Sequence, residues 1–66
     1  MLLRDLVPNH RFIVEGTEYK YTKLPLSHSV SEMLRTEKGQ KVLVLSDLTN
    51  QVTWFWDTTE VLDIGR

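Results

Sequence analysis

The stretch KVLVLS, residues 41–46, sets the strictest condition on what this chain can become. Four consecutive apolar residues, Val42, Leu43, Val44 and Leu45, put hydrocarbon on both faces of an extended strand. A strand with one solvated face would alternate with polar residues instead. Both faces therefore need cover, and a chain of 66 residues has a single core with which to supply it. No cysteine is present to staple the fold. Two distant histidines without thiols give no reason to expect a metal site or any other cofactor. Residues 1–66 are read as one domain.

Around that strand the sequence breaks into short β-forming runs separated by turn residues. In the opening segment, Leu3 and Leu6 can anchor on one side while Pro8 and Asn9 supply a tight turn. Residues 11–14 and 17–23 are rich in β-branched and aromatic side chains, and Glu15-Gly16 between them has the length of a two-residue hairpin turn. A turn at residues 47–50 closes a second hairpin onto residues 51–55. Trp56-Asp57-Thr58-Thr59 then forms a tight corner before a last strand, residues 60–64.

Residues 24–40 depart from this pattern. Pro25 stops the preceding strand, and Ser29 with Glu32 fits a capping box ahead of Val30, Met33 and Leu34 at helical spacing, with Gly39 as its stop. A short helix and a long loop both satisfy this stretch, because about ten residues make a marginal helix without packing. If it is helical, Val30, Met33 and Leu34 face the core.

Five short strands, an excursion between the second and third and a tight corner before the last give a mainly β fold in the order of an SH3-like barrel. The chain resembles the small SH3-like barrel proteins of bacteriophages. Their pattern is a leading Leu-x-Asp-Leu-x-Pro turn, a strand beginning with Phe, a Gly hairpin followed by Tyr, and a closing Phe-Asp-Pro-Asp-Thr-Glu-Val. Leu3, Asp5, Leu6, Pro8, Phe12, Gly16, Tyr19, Phe55, Thr59, Glu60 and Val61 match it. Asn9 stands where that pattern usually has Gly, Trp56 is an extra residue before the acidic corner, and the excursion is longer. The resemblance implies a five-stranded barrel and a binding module that meets a host protein, in the host cytoplasm if the chain is phage-encoded. It implies no catalytic set.

Both tryptophans fall in QVTWFW, residues 51–56. Strand alternation puts Thr53 and Phe55 on one face and Val52, Trp54 and Trp56 on the other. The resemblance turns Phe55 inward, which sends the tryptophans outward, where Leu43 or Leu45 on the neighbouring strand can extend the patch. Two outcomes stay open. The excursion folds back and buries the tryptophans against Met33 and Leu34, or they form an exposed aromatic patch for a protein partner or a second copy. Tyr19 and Tyr21, on one face of the second strand, are candidates to join Trp54 in a platform. The expected partner-binding residues are Trp54, Trp56, Val52, Leu43 and Tyr21.

Charge orders the remaining classes. Eight basic and nine acidic residues give a net charge of -1, interspersed along the chain, so no basic footprint marks a phosphate-binding face. Nucleic acid is the alternative partner, held by Tyr19, Tyr21, Trp54 and the lysines. No apolar stretch approaches the ~20 residues of a membrane span, Arg4 and Asp5 interrupt the start, and the absent cysteines suit a reducing, cytoplasmic setting. His10 and His28 have no ligand-spaced companions, and Ser27, Ser29 and Ser31 lie in no nucleophile elbow. A non-enzymatic module is the expectation.

Overall fold

The computed structural model describes residues 1–65. It is mainly β: six antiparallel strands in one sheet, with one short helix. The strands are β1 (Arg11–Val14), β2 (Lys20–Lys23), β3 (Arg35–Thr36), β4 (Gly39–Ser46), β5 (Val52–Trp56) and β6 (Val61–Gly65), and α1 (His28–Met33) lies between β2 and β3. The sheet runs β3-β4-β2-β1-β6, with β5 on the opposite edge of β4.

The sheet does not close into the expected five-stranded barrel. No ladder joins β5 to β6 among the described residues. The corner between them is tied to the N-terminal segment instead: the Leu3 amide donates to the Thr59 carbonyl at 2.9 Å and the Arg4 amide to the Asp57 carbonyl at 2.9 Å. A 3₁₀ turn, Leu3–Asp5, thereby folds Leu3 and Leu6 under the sheet. The Val7-Pro8-Asn9-His10 turn follows, closed by a 3.3 Å bond from the His10 amide to the Val7 carbonyl. Proline presets the second position, and Asn9 takes φ 72°, the left-handed conformation that a type II turn demands of its third residue.

Alternation along the strands builds the core. Phe12, Val42, Val44 and Val61 point inward and, with Leu3 and Leu6, are buried; Val14, Tyr21 and Phe55 pack against them. Phe12, Tyr21 and Phe55 meet as a cluster, with Tyr21 to Phe55 edge-to-face at 4.9 Å between ring centroids and Phe12 to Tyr21 stacked at 5.7 Å. Burying each of these side chains contributes roughly 1.5–3 kcal/mol.

Four local expectations are corrected. The Glu15-Gly16 turn forms, with Gly16 at φ 88° and the Thr17 amide bonded to the Val14 carbonyl, but β2 resumes at Lys20. The Thr17 hydroxyl donates to the Val14 carbonyl and accepts from the Tyr19 amide, so local bonds hold residues 17–19 out of the ladder. The excursion is helical, but its cap is Ser27, which accepts from the Val30 amide at 3.3 Å, and not Ser29. Val30 and Met33 do not face the core: no residue of α1 is buried and Met33 is 83% exposed. Gln40 anchors the helix instead, its side-chain amide donating to the Ser31 carbonyl at 2.8 Å. Gly39 opens β4, paired with Thr36 of the unforeseen strand β3, and does not stop the helix.

Candidate functional site

The β4–β5 ladder pairs Lys41 with Trp56, Leu43 with Trp54 and Leu45 with Val52. Residues directly opposite in an antiparallel ladder share a face, and Val42 and Val44 take the inner one. Trp54, Trp56, Val52 and Leu43 therefore come together on the outer face, as their alternation predicts. Val52 is 59% exposed and Trp54 40%, whereas Trp56 and Leu43 are half-buried.

The two indoles meet edge-to-face, 4.8 Å between centroids at 79°, and the Lys41 ammonium stands 4.7 Å from the Trp54 ring centroid. That stacking holds Lys41 by cation–π attraction. The α1 segment does not bury the pair against Met33. The β3–β4 turn flanks it, so that Thr36, Glu37, Lys38, Lys41, Trp54 and Trp56 line an open groove of about 500 Å³. Gly39 sits over Trp56, and a Cβ placed there would come 3.5 Å from its ring. With φ 147° at that residue, a larger side chain would meet strain before it met the indole.

Tyr21 lies elsewhere. It packs between Phe12 and Phe55 on the inner face, apart from the tryptophans. Tyr19 is exposed in the β1–β2 loop beside Leu48, where Glu18, Tyr19, Lys20, Asp47 and Leu48 line a second open depression. Tyr19, Tyr21 and Trp54 thus do not form one platform. Comparison with protein-family models, curated proteins and solved structures found no match.

Polar contacts that spacing along the chain did not foreshadow frame the outer face. Arg11 donates from Nε to Asp47 at 2.9 Å and forms an ion pair with it at 2.8 Å, while the Thr22 hydroxyl donates to the same carboxylate at 3.2 Å. Residues 11, 22 and 47 meet only because β1, β2 and β4 are adjacent. Lys23 turns inward, where its ammonium donates to the Leu3 carbonyl at 2.9 Å and the Leu6 carbonyl at 2.6 Å. Burial lowers its pKa, against the opposing pull of Asp5. It braces the 3₁₀ turn, so it is not available to the tryptophan groove.

Each histidine is paired with one carboxylate, and the two pairs lie apart. His10 Nδ1 lies 3.2 Å from Asp63, and His28 lies 3.6 Å from Glu32 one helical turn on. The Gly65 amide donates to Asp63 at 2.8 Å, and this bond, followed by that to His10, holds the Asp63 carboxyl below the usual range. No group of three or more histidines and carboxylates converges on one point among the described residues. No helix among the described residues is long and apolar enough to cross a membrane.

Proposed function

We propose that this chain is a non-catalytic protein-binding module that meets its partner through the β4–β5 outer face, with Trp54 and Trp56 as anchors and Val52 and Leu43 widening the contact. The observation that carries this reading is the paired tryptophans, edge-to-face and partly exposed beside Val52. Large rigid aromatics that expose area in the free protein are the usual anchors of interfaces, because they desolvate much surface while ordering few torsions. Lys41, Lys38 and Glu37 around them would set the partner's orientation.

The resemblance to phage SH3-like barrel proteins gives this module its setting: a phage protein in the host cytoplasm that binds a host enzyme or complex and alters or blocks its activity. The strand order β5-β4-β2-β1-β6, with the excursion before β4 and the tight corner before β6, is the order that resemblance implies, in a sheet that stays open.

Affinity capture from nuclease-treated bacterial lysate tests the reading. It compares the wild type with a Trp54→Ala, Trp56→Ala double variant whose fold is verified by circular dichroism. A single host protein retained by the wild type and lost by the folded variant supports the proposal. Equal retention by both moves the contact to another face. The nucleic-acid alternative has Lys41 over Trp54 in its favour. Binding through phosphates would weaken steeply between low and physiological salt, whereas an aromatic protein contact would change little.

A further inference from the structure

The edge of β5 facing away from β4 is the longest unguarded strand edge among the described residues. The Ser46 amide donates to the Gln51 carbonyl and the Asp57 amide to the Gln40 carbonyl, both at 2.9 Å, so the odd-numbered residues of this strand turn their backbone groups to β4. By the alternation of an antiparallel ladder, the amides and carbonyls of Val52, Trp54 and Trp56 point the other way. No strand pairs with them there; the Trp56 carbonyl accepts from the Thr59 amide at 3.0 Å. Folded proteins blunt such edges with charges, proline, bulges or extreme shortness. The other edge strands follow that rule: β3 has two residues and carries Arg35, and β6 carries Asp63 and follows Glu60. Residues 49–56, TNQVTWFW, contain no charge, no proline and no glycine.

We infer that this edge pairs with the same edge of a second copy of the chain, antiparallel about a two-fold axis at Trp54, joining two sheets into one. The pairing does not rest on the binding reading above. The strand is self-complementary in that register. On the outer face Trp54 meets Trp54 of the second copy and Val52 meets its Trp56, aromatic and β-branched cross-strand pairs of the favourable kind. Thr53 meets Phe55 of the second copy on the inner face. Because β5 is uncharged, no like charges are brought opposite each other within the new ladder. Val52 and Trp54, and Trp56 through its amide and the second lone pair of its carbonyl, also have the backbone groups that face the edge, so side chain and main chain select the same register. Five residues and their outer-face side chains fall short of the ~800 Å² per partner of a standard interface. The dimer is therefore a weak one, forming at micromolar concentrations and above.

Sedimentation of the wild type from a few micromolar to about one millimolar should show mass rising from monomer to dimer. Val52→Pro removes an edge-facing amide, which an edge strand tolerates, and should weaken dimerisation at least tenfold while circular dichroism stays unchanged. The register is read by disulfides, since the chain has no cysteine of its own. Opposed residues of a hydrogen-bonded pair stand ~5.5 Å apart at Cα, within disulfide reach. Mild oxidation should thus cross-link a Trp54→Cys variant and leave a Val52→Cys variant monomeric. A wild type that stays monomeric throughout the range overturns the proposal, as does cross-linking of Val52→Cys as readily as Trp54→Cys.

Discussion

At the scale of single residues, the aromatic side chains carried on strands divide by parity into two populations. Phe12 is fully buried and touches Tyr21 and Phe55, so truncating it opens a cavity at the centre of the core. Phe12→Ala should cost about 3–5 kcal/mol, close to the whole stability of a domain this size. Trp54→Ala, at a 40% exposed position, should cost about 1 kcal/mol or less. Urea denaturation of the two variants checks the contrast, and equal losses would mean that Trp54 belongs to the core. Asp63 adds a pH dependence. Its folded carboxyl keeps its charge to lower pH than an unfolded one, so in acid the unfolded chain binds more protons. Its contribution is complete above the ordinary carboxylate range and disappears as pH falls through the lowered folded value. The gap in urea midpoint between wild type and Asp63→Asn should accordingly shrink from neutral pH to about pH 2–3; a gap independent of pH would remove the carboxylate from the stability account.

At the scale of elements, turns and edges decide more than strands do. The Val7–His10 turn delivers β1 to the core beneath Leu3 and Leu6, and Asn9 holds its left-handed position at φ 72°. Asn9→Ala should destabilise by about 1 kcal/mol, because alanine keeps the Cβ that crowds the following carbonyl there but lacks the short polar side chain that lets asparagine tolerate the left-handed conformation. Asn9→Gly should be close to neutral, and thermal melts of the pair measure the difference. A loss as large with glycine would assign Asn9 a side-chain role in place of a conformational one. The helix α1 shows the converse: an element with an N-cap and a hydrogen-bonded anchor at Gln40 but no buried face. The Ser27 cap and the Gln40 anchor shape its six residues, while its apolar Met33 remains in solvent.

At the scale of the whole molecule, the described residues have a Cα radius of gyration of 11.1 Å, matching the ~11 Å of a well-packed chain of this length. Six buried side chains hold it together, all in one cluster. With a single core, unfolding should be two-state, so tryptophan fluorescence, which reports the outer β4–β5 face, and far-ultraviolet circular dichroism should give coincident urea transitions. An earlier fluorescence transition would show that the β4–β5 hairpin opens separately from the core.

Much of this was legible in residue order. Leu3 and Leu6 as anchors, Pro8-Asn9 as a turn, KVLVLS as a strand and the parity of Trp54 against Phe55 follow from backbone torsions and the two-residue period of a strand, which act between near neighbours. The remainder needed the tertiary structure. The inward turn of Lys23 onto the Leu3 and Leu6 carbonyls, the meeting of His10 with Asp63 and of Arg11 with Asp47, the packing of Tyr21 away from the tryptophans and the open sheet all join residues far apart in the chain. Local patterning determined which strand side chains share a face; strand adjacency, chosen by how one small core is filled, determined which face is inner and what each face meets.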